Sequence, residues 1–265
     1  MKQVNPKLYD KKYFISYSPD FSKKVSVSLF QKKYNEISSL IKIKSNETIC
    51  DYGCGTGDLS FVLSLKYDCP IIAIDYSKTA IDMCKNKNKL FLKNTKQNSN
   101  IKFLNKNNNE IPNLKNVKYI YFCDVFEHLY DHEINSVLDK ISKWHQNTTI
   151  IIHTDNNNYL KYIRPVIDFI NIILRKTTLK KIKEERKEEY KRHVNLTNPK
   201  CLTKKMSKNS YKLIKIEYPR LNYQTIKTQL GALSKIKPII NLSYFILKIT
   251  PSLSPSFYAV YKKTI

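Results

Sequence analysis

Four glycines occur in the 265 residues, Gly53, Gly55, Gly57 and Gly231, and three of them fall within five positions. Glycine reaches left-handed backbone conformations and lets a ligand approach the main chain more closely than any side chain permits. A chain that uses glycine so sparingly and then clusters it has one place where a sharp turn is required. That place is TICDYGCGTGDLS, residues 48–60, a strand-like run leading through G-x-G-x-G into a helical run. The start of a helix offers free backbone N–H groups and the positive end of its dipole, a setting for a carboxylate or a phosphate.

A lone glycine loop is weak, so its surroundings decide. Asp75 ends the next apolar run, PIIAID, 18 residues after Gly57. An acidic side chain at the carboxyl edge of a parallel sheet accepts hydrogen bonds from both hydroxyls of an adenosine ribose. The dinucleotide pattern would read G-x-G-x-x-G, and a carboxylate at Asp51 would be unhelpful beside a pyrophosphate. Asp51 suits the amino group and sulfonium of a methionine moiety, which points to S-adenosylmethionine rather than NAD. No Lys-Ser/Thr follows the loop, so the phosphate-binding signature of ATPases is absent.

The rest of the chain supplies a matching rhythm. Strands are expected at Thr48–Asp51, Pro70–Asp75, Ile101–Leu104, Val117–Cys123 and Thr148–His153, with helices at Asp58–Lys66, from Ser77 to about Leu92, and at Asp131–His145. The last of these helices puts Ile134, Leu138, Ile141 and Trp144 on one face. Such repetition predicts an α/β fold, a doubly wound, mostly parallel sheet with helices on both sides. The rhythm breaks at 156–198, where an apolar helix near Tyr159–Arg175 precedes a charged one near Leu179–Arg192. Asn198-Pro199 signals a fresh helix start. Lys212–Glu217 and Ser256–Tyr261 are expected as the last two strands, separated by an irregular segment at 218–255.

Composition restrains the functional reading. The formal charge is +25, yet only five of the 47 basic residues are Arg. A nucleic-acid reader uses Arg for its planar fork and interleaves basic with aromatic residues on one element, so the charge alone argues against a nucleic-acid partner. One asymmetry survives: after Glu217 there is no acidic residue, while the same stretch carries seven Lys and Arg. The six cysteines form no C-x-x-C pair or zinc-like spacing, so no metal is expected, and reduced thiols fit a cytoplasmic protein. The N-terminus lacks the apolar core of a signal peptide. The longest C-terminal apolar run, Pro238 to Leu247, falls short of the roughly 20 residues that span a bilayer.

These pieces resemble the class I S-adenosylmethionine-dependent methyltransferases. Within that superfamily they are similar to the group containing ubiquinone-biosynthesis and sugar or polysaccharide methyltransferases. The matching segments are DYGCGTGDLS, IIAIDYSKTAIDMCK, DVFEHLYDHEINSVLDKI and HVNLTNPKCL, spanning about residues 48–217, with YDKKYF similar to the group's opening. The resemblance implies a seven-stranded Rossmann-like sheet with a helical lid insertion. It implies that Asp51 lies near the methionine amino group and that Gly53, Cys54, Gly55 and Gly57 form the loop under the cofactor. Asp75 would bind the ribose and Tyr76 would lie against the adenine. The acidic residue that the family places after its third strand is missing; Asn107 or Asn108 stands there, and an amide oxygen can accept the same hydrogen bond. Asp124 ends the fourth strand facing the transferred methyl, with Glu127 and His128 in the next turn. His193, in the HVNL segment, and His153, after the fifth strand, would line the acceptor pocket.

The chain is therefore read as one methyltransferase domain, with a cofactor-binding core at 28–155, a lid at 156–198 and C-terminal strands at 199–265 carrying an inserted apolar, basic segment. Methyl transfer from a sulfonium needs mainly alignment, since the cofactor already carries the activation. A hydroxyl acceptor also needs a base, for which His128, His153 and His193 are candidates; Asp124 could serve instead or orient the acceptor. The expected acceptor is a small molecule, a sugar or a lipid-linked compound, methylated on oxygen. Two rival readings are an RNA methyltransferase using the basic surface and a non-catalytic S-adenosylmethionine-binding protein at a membrane. His132 and His145 are expected on exposed helix turns. The apolar, basic 231–251 segment either packs on the lid or makes peripheral contact with a membrane.

Overall fold

Central strands buried along almost their whole length send alternate side chains to opposite faces, which builds one sheet with a core on each side. The computed structural model of the chain describes residues 4–17, 32–95, 100–107, 116–144, 147–220 and 237–264, with positions 110, 112, 114 and 230. Asn108, His145, Gly231 and the rest of 231–236 lie outside the described residues. The strands are β1 (Thr48–Tyr52), β2 (Ile71–Asp75), β3 (Ile101–Asn105), β4 (Val117–Cys123), β5 (Thr149–Asp155), β6 (Tyr211–Glu217) and β7 (Ser256–Lys263). They pair in the order β3-β2-β1-β4-β5-β7-β6. The first five are parallel, and β7 runs antiparallel to both β5 and β6. The order reverses between β1 and β4, which opens a crevice at their carboxyl ends.

Ten helices occur among the described residues: α1 (Lys11–Tyr17), α2 (Lys32–Ser38), α3 (Asp58–Tyr67), α4 (Lys78–Thr95), α5 (Asp131–Trp144), α6 (Asn157–Tyr162), α7 (Arg164–Ile173), α8 (Leu179–Tyr190), α9 (Pro199–Lys208) and α10 (Lys237–Ile249). Ile120 and Phe122 of β4 join a core with Ile134, Leu138 and Ile141 of α5 and Leu202 and Met206 of α9. The alternate residues Tyr119 and Tyr121 point to the other face, against Ile37 of α2 and Leu59 and Leu63 of α3. Each fully buried aliphatic or aromatic side chain of this kind contributes on the order of 2 kcal/mol before chain entropy is counted.

The structure changes two expectations. The apolar helix near Tyr159–Arg175 is two helices, because Pro165 lacks the N–H that a continuous helix needs. Ile163 closes α6 and opens α7 at once. The segment expected to be irregular, 218–255, contains α10, whose Pro238 sits in its first turn and whose polar residues Lys237, Asn241, Tyr244 and Lys248 recur at i, i+4, i+7 and i+11 along one side. The remaining expected elements are present with ends shifted by one or two residues, or three at the C-terminus of the helix begun after Ser77.

Asn156 ties the insertion to the sheet. It is fully buried, accepts from the Asn158 N–H as the cap of α6, and donates to the carbonyls of Ser252 and Ser254 at 2.8 and 2.7 Å. Its own N–H donates to the Pro255 carbonyl. Truncation removes a helix cap and leaves two carbonyls without their donor. We expect Asn156→Ala to lower the unfolding free energy by about 2–4 kcal/mol in urea titrations.

Candidate functional site: a cavity at the carboxyl edge of the sheet

The glycine loop is pinned to the end of β2. The N–H groups of Gly53 and Cys54 both donate to the Ile74 carbonyl, at 2.8 and 2.9 Å. The three glycines have φ of +72°, +52° and +82°, values that a side chain disfavours. A Cβ on Gly53 would come within 2.5 Å of Val125, whereas one on Gly55 would meet nothing nearer than the Phe14 ring at 3.9 Å. Gly55 therefore leaves an open cradle over which a ligand can lie. Gly57 is needed for packing instead, since a Cβ there would point at Cys84, Phe103 and Phe61, and the residue caps α3 in the left-handed conformation.

Above this loop lies a cavity of about 480 Å³. Asp51, Gly53, Cys54, Gly55, Asp75, Tyr76, Asn107, Asp124, His128, His153 and His193 all line it, so the structure brings together every site residue expected from sequence except Gly57. Asp75 is buried; its Oδ2 accepts from the Gly55 N–H at 2.9 Å and its Oδ1 from the Ser77 N–H at 2.8 Å. Burial pushes its carboxyl up to about 6 against the pull of these bonds. Asp51 is buried as well and accepts from the Ser60 hydroxyl at 2.6 Å. Burial, reinforced by the charges of Asp75 and Asp58, pushes it up to about 7. Asn105, which no sequence pattern singles out, donates from Nδ2 to the carbonyls of Asp75 and Tyr76 and so fixes the turn that aims both side chains.

The opposite wall is a chain of polar groups. Asp124 holds a left-handed φ of +57° just past β4 and directs its carboxylate sideways. Oδ1 pairs with Nδ1 of His153 at 2.5 Å, and Oδ2 with the ammonium of Lys33 from α2. Burial opposes the charge on Asp124, but Lys33 and His153 outweigh it and hold the carboxyl well below its ordinary range. The carboxylate fixes the proton of His153 on Nδ1, leaving Nε2 as the acceptor for the Ser256 hydroxyl at 3.0 Å. Ser256 and Pro255, at the start of β7, complete this wall.

His128 and His193 stand edge to face, with ring centroids 4.8 Å apart. Nδ1 of His128 lies 3.0 Å from the Tyr9 hydroxyl and 3.2 Å from the Arg192 carbonyl. A carbonyl only accepts, so that nitrogen carries the proton. Burial and the neighbouring His193 push the His128 pKa down to about 4, which keeps the ring neutral. Nδ1 of His193 is buried without a hydrogen bond, 3.4 Å from Asp155. The HVN segment is fastened through Glu127, whose carbonyl accepts from the N–H groups of Val194 and Asn195. The Glu127 carboxyl accepts from Thr154 at 2.8 Å, and burial beside Asp124 and Asp155 pushes it up. His132 is half-buried and stacks on Tyr130 rather than standing exposed.

Sequence reasoning missed Lys33, Tyr9, Arg192 and Ser256. Tyr9 opens the YDKKYF segment but was given no role there, Lys33 is one lysine among many, and Ser256 meets His153 across 103 residues of sequence. Only the pairing of β7 with β5 brings that serine to the site.

Residues 43–219 match the methyltransferase-domain family. The chain belongs to this methyltransferase family. Its sheet has the class I methyltransferase fold, and the methyl donor expected from the sequence is S-adenosylmethionine. The cradle over Gly55 and the two buried carboxyls facing it fit that group. Among solved structures, the methyltransferase is similar to the cyclopropane synthase MmaA2 from Mycobacterium tuberculosis, at 12% identity, covering 98% of this chain and 96% of that one, with a TM-score of 0.61. It is similar to magnesium protoporphyrin IX methyltransferase from Synechocystis PCC 6803, crystallised with bound SAH, at 11% identity, covering 98% and 97%, with a TM-score of 0.58. It is also similar to geranyl diphosphate C-methyltransferase from Streptomyces coelicolor A3(2), at 12% identity, covering 100% and 91%, with a TM-score of 0.58. No curated protein matches the sequence.

The raised carboxyl of Asp51 has a measurable cost in the ligand-free methyltransferase. Its folded pKa exceeds the unfolded one, so its contribution to stability is present at low pH and is lost as pH rises from about 4 through about 7. Asn carries no charge to bury. We expect Asp51→Asn to gain on the parent by on the order of 2–4 kcal/mol between pH 4 and pH 8, read from urea unfolding at each pH.

Proposed function

We propose that this methyltransferase moves the methyl group of S-adenosylmethionine to an oxygen of a small-molecule, glycan or lipid-linked acceptor, with His153 as the base. The observation that carries this reading is the relay Ser256–His153–Asp124 along the cavity wall, opposite the glycine loop. When bound, the donor supplies a methyl group activated by its sulfonium, so the protein has to bind, align and deprotonate.

Asp51 is assigned to the methionine amino group and the loop of Gly53, Cys54 and Gly55 to the underside of the donor. Asp75 takes the ribose hydroxyls; each of its oxygens accepts one main-chain N–H and keeps a lone pair for a hydroxyl. Tyr76 and Asn107 bracket the adenine. Tyr76 is 41% exposed, which leaves a ring face for stacking.

At the acceptor end, an acceptor hydroxyl gives its proton to the Ser256 oxygen as the Ser256 proton passes to Nε2 of His153. The carbon–oxygen bond forms as the carbon–sulfur bond breaks. Asp124 stabilises the imidazolium so produced, and Lys33 keeps Asp124 ionised, which makes Lys33 a positioning residue. His128 is too weak a base for this step and shapes the pocket with His193. An oxygen acceptor is favoured over carbon because this wall is built to receive a proton. Residues 28–155 are then assigned to holding the donor, and the 156–198 insertion, which reaches the cavity at Arg192 and His193, to closing its acceptor end.

The test is an acceptor screen with isotope-labelled S-adenosylmethionine over lipid, glycan and RNA fractions, run beside calorimetric donor binding. We expect label in the lipid or glycan fraction. Label confined to RNA, or none despite donor binding, would overturn the reading. With the acceptor found, His153→Ala should lower kcat by about 10²–10⁴-fold with donor affinity retained. Asp75→Ala should weaken donor binding by roughly tenfold or more, the loss of hydrogen bonds to a charged acceptor.

A further inference from the structure

Two helices of the C-terminal half turn apolar faces outward. On α7, Val166, Phe169 and Ile173 are 55%, 63% and 61% exposed, at the spacing i, i+3, i+7 that aligns them on one side. On α10, Leu242, Phe245 and Ile249 repeat that spacing at 58%, 60% and 61% exposure. The two helices are joined through a separate face, where Ile167 and Ile170 of α7 pack on Leu230 and Ile240. Their mutual packing is thus already satisfied, and the outward residues are surplus to it. Large side chains presented together to water mark an interaction surface.

The charge around these faces selects the occupant. The one carboxylate in α6 and α7, Asp168, is ion-paired to Arg186 of α8. α10 has no acidic residue, nor has any position after Glu217. Lys161, Arg175, Lys176, Lys237 and Lys248 are all exposed on or beside these two helices. An apolar stripe flanked by cations and free of carboxylates complements an anionic lipid surface. A second copy of the chain would set two such cationic faces against each other. No helix among the described residues is long and apolar enough to cross a membrane, so these helices would lie on it.

We propose that α7 and α10 form a docking face for an anionic bilayer. The chain path couples that face to the cavity. The α6–α8 insertion leaves β5 one residue after Asp155 and returns at Arg192 and His193, and α10 leads through a short turn into Pro255 and Ser256; all five of these residues line the cavity. Seating the helices on a bilayer therefore brings the acceptor end of the cavity toward the lipid.

The experiment is co-sedimentation of the full chain with vesicles of phosphatidylcholine alone and of phosphatidylcholine with phosphatidylglycerol. The parent should bind the anionic vesicles and largely ignore the neutral ones, with affinity falling as salt rises. The paired substitutions Phe169→Glu with Ile173→Glu, and Phe245→Glu with Ile249→Glu, should each weaken vesicle binding by roughly tenfold or more. These positions face water, so the variants should retain their donor affinity and urea midpoint. Equal binding to both vesicle types, or variants that bind as the parent does, would overturn the proposal. So would a parent that sediments as a dimer without vesicle affinity and becomes a monomer on substitution, since the face would then serve a second copy. Donor binding is measured without vesicles, so its failure would count against the methyltransferase reading and leave the docking face to stand or fall separately.

Discussion

The loop between β1 and α3 has its shape because the end of β2 holds it. One carbonyl, that of Ile74, takes two successive N–H groups of the loop, and one carboxylate, that of Asp75, takes a third. These bonds settle where the glycine backbone runs, where α3 begins and which way Asp51 and Asp75 face. Both carboxyls are buried by the same packing, and each would be a net cost without an occupant to solvate it. The site proposed for the donor is therefore held open by main-chain bonding and lined by charge that the protein itself does not neutralise.

The far wall follows a different logic. Asp124 has two cationic or protonatable neighbours and is fully engaged, so its role passes to the imidazole it orients. His128, His153 and His193 read alike in the sequence, as three histidines beside apolar strands or loops. Burial separates them: His128 is kept neutral by its surroundings, His193 leaves a nitrogen unsatisfied, and His153 alone is aligned between a carboxylate and a hydroxyl.

Much of this was legible from residues. The glycine cluster, Asp51 and Asp75 announced one edge of the cavity because that edge is built from one continuous stretch of chain, where spacing reports geometry. The parallel core was legible for the same reason, since β1 to β5 alternate with their helices. Legibility failed where contacts cross long separations. Lys33 reaches Asp124 over 91 residues, and Ser256 reaches His153 over 103. Pro165 was visible, but a proline in an apolar run reads equally as a kink or a break. α10 was missed although Lys237, Asn241, Tyr244 and Lys248 recur at helical spacing, because so narrow a polar stripe is easily passed over in a mostly apolar run.

The place of β7 has a consequence for how the molecule is made. It lies inside the sheet, between β5 and β6, although it follows both in the chain. During synthesis β5 must keep an unpaired edge while more than 100 further residues emerge, and β6 has no neighbour to join until residue 263 has left the ribosome. The half bearing the glycine loop can form early from local strand–helix units, whereas the wall bearing Ser256 is assembled last. A nascent chain would thus complete the glycine loop and its two carboxyls well before Ser256 reaches His153.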